Sequence, residues 1–148
     1  MATPRSALQP IRHFILPANP LAVRTVLTDV RKYLTGFGLS GDDKNSVQIV
    51  LGEVLNNIVE HACADVGGQI WLDVSVDPEG LACTVQDDGK AMEGGSLPSA
   101  TAPELGEVTD ELPEGGFGWS LIQRLATQIQ YFREEERNRL TFTVGFSS

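Results

Sequence analysis

The segment QIWLDVSVDPEGLACTVQDDG, residues 69–89, reads as two strands, Gln69 to Val76 and Leu81 to Gln86, on either side of the turn signal Asp77-Pro78-Glu79-Gly80. A hairpin in mid-chain is expected at the centre of a sheet, and the other elements are read around it. IRHFILPA has the branched and aromatic residues of a strand, ended by Pro17, and is expected to begin that sheet. IQYFREEERNRLTFTVGF reads as a closing hairpin with a charged turn.

Two helices stand between the first strand and the central hairpin. In the first, Asn19 is a cap candidate, Pro20 takes the first helical position, and Leu21, Val23, Val26, Leu27, Val30 and Leu34 follow at helical spacing up to Gly36 and Gly38. The second starts at Ser40 or Asp42, runs some five turns, and stops before the pair Gly67-Gly68. A third helical pattern, GFGWSLIQRLATQI, places Trp119, Ile122, Leu125, Ala126 and Ile129 on one face. Residues 90–114 are rich in Gly, Pro, Ser and acidic side chains without periodicity; so long a connection suggests a lid or an insert. It is expected to be mobile without ligand, with its acidic side chains facing solvent. The chain is read as one domain, 1–148, with a leader over residues 1–10.

Composition excludes several classes of function. Hydrophobic residues make up 41% and charged residues 21%, an ordinary globular mix, and no apolar run approaches the roughly 18 residues of a membrane span. The start, MATPRSALQPIRHF, lacks the apolar core of a signal peptide, so export is not expected. A net charge of -9 argues against general nucleic-acid binding, which needs clustered Lys and Arg. Nucleotide binding stays open, because backbone amides and a metal neutralise phosphates locally. Cys63 and Cys83 lie in apolar neighbourhoods outside any metal-binding pattern and read as small core residues, which suits a reducing cytoplasm.

Three stretches carry polar residues where packing alone would not put them. In LGEVLNNIVEHA, residues 51–62, the stripe Val47, Leu51, Val54, Ile58 should face the core, with Ile49, Asn56 and Glu60 in solvent. Glu53, Asn57 and His61 recur every fourth residue along the border of that stripe, in one partly buried line. They either satisfy backbone groups or form a magnesium and nucleotide site, in which an Asn oxygen is a suitable hard ligand and a glutamate one turn away orients or deprotonates a nucleophile. In TVQDDGKAM, Asp87 and Gly89 follow a strand; the pair is either a turn or a place where a carboxylate accepts from an exocyclic amine while glycine lets a flat base approach. In EGGFGWSLI, Gly115, Gly116 and Gly118 open a helix, either as a hinge or as amides presented to phosphate.

The order and spacing of these three stretches resemble the GHKL ATPase superfamily, which includes histidine kinases, heat-shock chaperones, gyrase and mismatch-repair ATPases. Glu53, Asn57 and His61 look like its N box, Asp87, Gly89 and Ala91 its first glycine box, and Gly115, Gly116 and Gly118 its second. The short lid is most similar to that of the bacterial anti-sigma factor serine kinases. The resemblance implies an α+β two-layer sandwich of Bergerat type, a mixed, mostly antiparallel sheet with helices on one face and ATP held between helix and lid. It implies Asn57 as the Mg2+ ligand, Glu53 as base or water-orienting group, Asp87 as the adenine reader and the second glycine box around the phosphates. It further implies a cytoplasmic kinase that phosphorylates a serine of a small anti-anti-sigma partner, holds a sigma factor in an alternative complex, and dimerises through its first strand and helix.

Ala91 stands where the first box usually has a second glycine, and Phe117 where related kinases commonly have a basic residue. These departures touch catalysis more than binding, since phosphoryl transfer depends on positioning and charge stabilisation. A binding module that uses ATP only to shape a partner surface is therefore the second reading. A detached histidine kinase catalytic domain is the third, disfavoured by the short lid and by the absence of a preceding phosphoacceptor helix pair.

Overall fold

The computed structural model describes residues 11–63, 67–91 and 114–147. In chain order these form β1 (Arg12–Pro17), α1 (Pro20–Thr35), α2 (Gly41–Asn57) running into a π-helical turn (Ile58–Ala62), β2 (Gln69–Asp77), β3 (Gly80–Asp87), α3 (Glu114–Leu125), β4 (Ala126–Glu134) and β5 (Arg137–Gly145). The expected leader, and most of the expected lid, over residues 92–113, lie outside the described residues.

The five strands pair in the order β1-β2-β3-β5-β4. All four pairings are antiparallel, so the α+β sandwich forms as expected while its sheet, among the described residues, has no parallel pair. The alternation in β2 shows why the sheet has one dry face. Ile70, Leu72, Val74 and Val76 are buried, while Trp71, Asp73 and Ser75 on the other face are half-buried. The helices close over the dry face. Val23, Val26, Val30 and Leu34 of α1, Val47, Val50, Leu51, Val54 and Leu55 of α2, and Trp119 and Ile122 of α3 form one core with Leu81, Cys83 and Val85 of β3 and Leu140, Phe142 and Val144 of β5. On the open face the Arg137 guanidinium lies 4.0 Å from the Trp71 ring centre and that of Arg139 4.8 Å from Phe132, covering aromatic surface with cation–π contacts.

Local chemistry sets the helix ends. The Asn19 side chain accepts from the Ala22 amide at 2.8 Å, and Pro20 follows where its missing N–H costs nothing. Ser40, rather than Asp42, caps α2 by accepting from the Asp43 amide at 3.1 Å. Asp43 is itself buried in that first turn, where its charge suits the helix dipole, and its Oδ1 accepts from the Ser147 amide at 2.9 Å and the Ser147 hydroxyl at 3.0 Å. The start of α2 thereby anchors the segment after β5.

Two expectations of helical packing fail. Leu21 is 67% exposed, because the buried stripe of α1 runs from Val23 through Val26, Val30 and Leu34. The third helix ends at Leu125 instead of continuing through Ile129. Ala126 already pairs with Val144, and a bulge between Thr127 and Gln130, with Gln128 at φ 55°, lets β4 take up its register with β5 at once. The charged turn of the closing hairpin is Glu135-Glu136, both at positive φ (50° and 64°), as a two-residue turn between right-twisted strands requires.

Candidate functional site

The end of α2 and the loop after β3 meet at one place. Glu53 and Asn57 are half-buried one turn apart on α2, and neither side chain has a hydrogen-bond or ion-pair partner among the described residues. The helix then widens: the Cys63 amide reaches back five residues to the Ile58 carbonyl at 2.9 Å. Such π turns recur at functional sites, because the extra residue re-aims the side chains beyond it. Here it turns His61 out of the line it was expected to share, and His61 is exposed. Asn56, Glu60 and Ile49 are in solvent, as helical phase requires.

The widened turn presents the Ala62 carbonyl to the Lys90 amide at 2.8 Å. The two segments approach so closely that a side chain on Gly89 has no room. A Cβ there would stand 2.3 Å from the Ala62 carbonyl oxygen and 2.5 Å from its carbon, and these are backbone atoms that cannot swing aside. Gly89→Ala is expected to destabilise the fold by about 1–3 kcal/mol and to part the loop from the helix. Denaturant titration beside wild type checks the first effect, and loss of protection at the Lys90 amide in hydrogen exchange checks the second.

Asp87 ends β3 and is only 3% exposed. Its Oδ1 accepts from the Gly89 amide at 2.8 Å and from Asn138 Nδ2 at 2.9 Å, and its Oδ2 has no partner among the described residues. Burial holds its pKa above the ordinary carboxylate range and Asp88 adds to this, while the Asn138 and Gly89 hydrogen bonds and the Arg133 charge oppose it. Asp88 is exposed and pins the loop to the sheet, accepting from the Gln69 amide at 2.9 Å. Behind it, Cys63 is buried, and its thiol is pushed up to about 11 by burial and by the Asp87 and Asp88 carboxylates, so it stays an unreactive neutral group. Cys83 is buried in the core, and both cysteines are free, as their surroundings in the sequence suggested.

The second glycine stretch is the first turn of α3: the backbone of Gly115, Gly116 and Gly118 is helical, and α3 packs against α2. Ala91 is exposed at the end of the loop that carries Gly89. No group of three or more His, Cys, Asp or Glu side chains among the described residues could hold a metal ion. A magnesium ion carried mainly by phosphates and water needs only one or two protein oxygens, and the half-buried Asn57 carboxamide, without a partner among the described residues, fits that demand.

Sequence reasoning missed Asn138. It is 5% exposed, and it sits in the charged run REEERNRL, which looks solvated. The signal was its phase: Asn138 shares the inward side of β5 with Leu140, Phe142 and Val144, and a polar residue in such a set calls for a reason.

The histidine kinase-like ATPase domain family matches residues 16–144, from the end of β1 to the end of β5. The chain belongs to this family. Its relatives include the serine-protein kinase RsbW of Bacillus mycoides (strain KBAB4), 27% identical over 121 residues that cover 81% of this chain and 76% of the relative. RsbW of Bacillus cereus (strain AH187) is 30% identical over the same coverage. The crystal structure of the RsbU and RsbW domains of Rv1364c from Mycobacterium tuberculosis superimposes with a TM-score of 0.62 at 20% identity, over 94% of this chain and 33% of that longer one, and shares the fold. Within the histidine kinase-like ATPases the chain thus falls with the anti-sigma factor serine kinases, the branch whose short lid its sequence resembles. No helix among the described residues is long and apolar enough to cross a membrane.

Proposed function

We propose that this chain binds Mg2+ and ATP where the end of α2 meets the loop after β3, and transfers the terminal phosphoryl group to a serine of a small anti-anti-sigma partner in the cytoplasm. In the alternative complex it holds a sigma factor inactive. The observation that carries the reading is Asp87: a buried carboxylate with one oxygen fixed by two donors and the other left to accept from the adenine amino group. Asn57 offers its oxygen to the metal, which neutralises phosphate charge when bound. The amides at Gly115 and Gly116, in the first turn of α3, donate to phosphate oxygens, and Gly118 on the next turn leaves room for them to approach. Glu53 accepts the proton of the serine hydroxyl as its oxygen bonds to the γ-phosphorus and the bond to the β-phosphate oxygen breaks, leaving phosphoserine and ADP. His61, exposed, and Ala91 border this site without a specified contact.

The binding-module reading keeps ATP and gives up transfer; Phe117, in the glycine stretch, favours it by standing where a basic phosphate contact would serve catalysis. Labelled ATP mixed with an anti-anti-sigma protein encoded nearby separates the two. Label on a partner serine supports the kinase, and ATP-dependent binding without label supports the module. A homodimer through β1 and α1 belongs to the same proposal, supported by the exposed apolar side chains of Ile11, Ile15 and Leu21 in that region.

Asp87 also sets a pH dependence. Its ionised form is the acceptor for adenine, and burial raises its pKa against the opposing pull of Asn138, Gly89 and Arg133. ATP affinity is therefore expected to fall, as pH is lowered, before an ordinary carboxylate near 3.9 would protonate. The fold gains from the same event, because the native state takes up this proton more readily than the unfolded chain as pH falls through the raised native value. Calorimetry at stepped pH beside thermal melts checks the order: affinity declines while the contribution of Asp87 to stability rises.

A further inference from the structure

The loop that begins after Asp87 is held by the far hairpin as well as by the π-helical turn that follows α2. Asn138, at the start of β5, spends its whole hydrogen-bonding capacity on this. Its Nδ2 donates to Asp87 Oδ1 at 2.9 Å and to the Lys90 carbonyl at 2.8 Å. Its Oδ1 accepts from the Tyr131 hydroxyl and from Arg133 Nη1, the latter at 3.1 Å. Arg133 Nη1 also donates to the Gly89 carbonyl at 2.8 Å. Because a guanidinium only donates, the Asn138 oxygen must face Arg133, and its amide hydrogens are thereby aimed at Asp87.

We propose that Asn138, oriented by Tyr131 and Arg133, is the positioning residue that fixes the Asp87 carboxylate for base recognition, so that the β4–β5 hairpin sets the selectivity of the site for a 6-aminopurine. The inference rests on the ATP-binding reading above and adds to it a determinant of selectivity outside the three glycine and asparagine stretches. With Oδ1 engaged by Gly89 and Asn138, the carboxylate cannot rotate, and Oδ2 keeps one direction. Without Asn138 the Gly89 amide alone holds it, the Lys90 carbonyl loses a donor, and the carboxylate turns among several poses, most of them poor for an amino group.

The test compares binding of ATP with binding of purine riboside triphosphate, which lacks only the 6-amino group, both with magnesium. Wild type is expected to prefer ATP by roughly ten- to a hundredfold, the usual worth of a hydrogen bond to a charged group. Asn138→Ala should cut that preference by about fivefold or more, mainly by weakening ATP. Asn138→Asp, equal in shape but with acceptors in place of donors, should cut it as well. A residue that served folding alone would weaken both nucleotides alike, and an unchanged ratio in Asn138→Ala overturns the inference. If that variant does not fold, exposed Arg133→Ala decides: a reduced ratio supports the inference and an unchanged one overturns it. Equal affinity of wild type for the two nucleotides overturns the reading of Asp87 itself, and the inference with it.

Discussion

Glu53→Gln is expected to slow phosphoryl transfer by roughly a hundred- to ten-thousandfold while leaving ATP affinity close to that of wild type, because general-base groups contribute on that scale to the chemical step alone. The fold should not notice the change. Glu53 is half-buried and makes no hydrogen bond or ion pair among the described residues. The bland alternative, a surface ion pair worth at most about 1 kcal/mol, therefore lacks a partner among those residues. Single-turnover transfer to a cognate partner at saturating ATP measures the effect. Equal rates for the two proteins would reject Glu53 as the base, and no transfer by either would leave the ATP-gated binding module.

For Asp87→Asn we expect ATP affinity to drop by roughly ten- to a hundredfold, the worth of a charge-assisted hydrogen bond in a dry site. The direction of the effect follows from the two donors at Oδ1. The Gly89 amide and Asn138 Nδ2 both need an acceptor there, so the new carboxamide must keep its oxygen on that side. Its NH2 then takes the place of Oδ2 and meets the amino group of adenine donor to donor. A base with a carbonyl at that position suits the variant better, so inosine triphosphate should gain on ATP. The variant remains folded because the buried donors stay paired. Competition between the two nucleotides, measured on both proteins, checks the exchange of preference; parallel losses would remove Asp87 from base recognition.

Features of the fold that depend on near neighbours were legible in the sequence. Asn19-Pro20 and Ser40 announce their helices through capping chemistry that acts within three residues, and the central hairpin is announced by its Asp-Pro-Glu-Gly turn. The π turn had no such sign, since Ile58-Val59-Glu60-His61-Ala62 suits an α-helix equally well; the loop at Gly89 and Lys90 docks on the widened turn from elsewhere in the chain. That is why His61 was placed in the buried line and is found in solvent. The boundary of α3 was misread for a related reason: Ala126 and Ile129 fit both a helical face and a strand, and pairing with β5 decides between them. Within the candidate site, Asp87 and Gly89 were visible as a motif, but the reason Gly89 must lack a side chain, the Ala62 backbone, and the reason Asp87 holds one orientation, Asn138, both lie in distant segments.

Titration calorimetry of the wild-type chain with magnesium and nonhydrolysable analogues of ATP and GTP tests the central claim, that Asp87 reads adenine. Saturable binding at a single site, tighter for the ATP analogue by about tenfold or more, is the expected result. No saturable heat with the ATP analogue, or equal affinity for the GTP analogue, would contradict it.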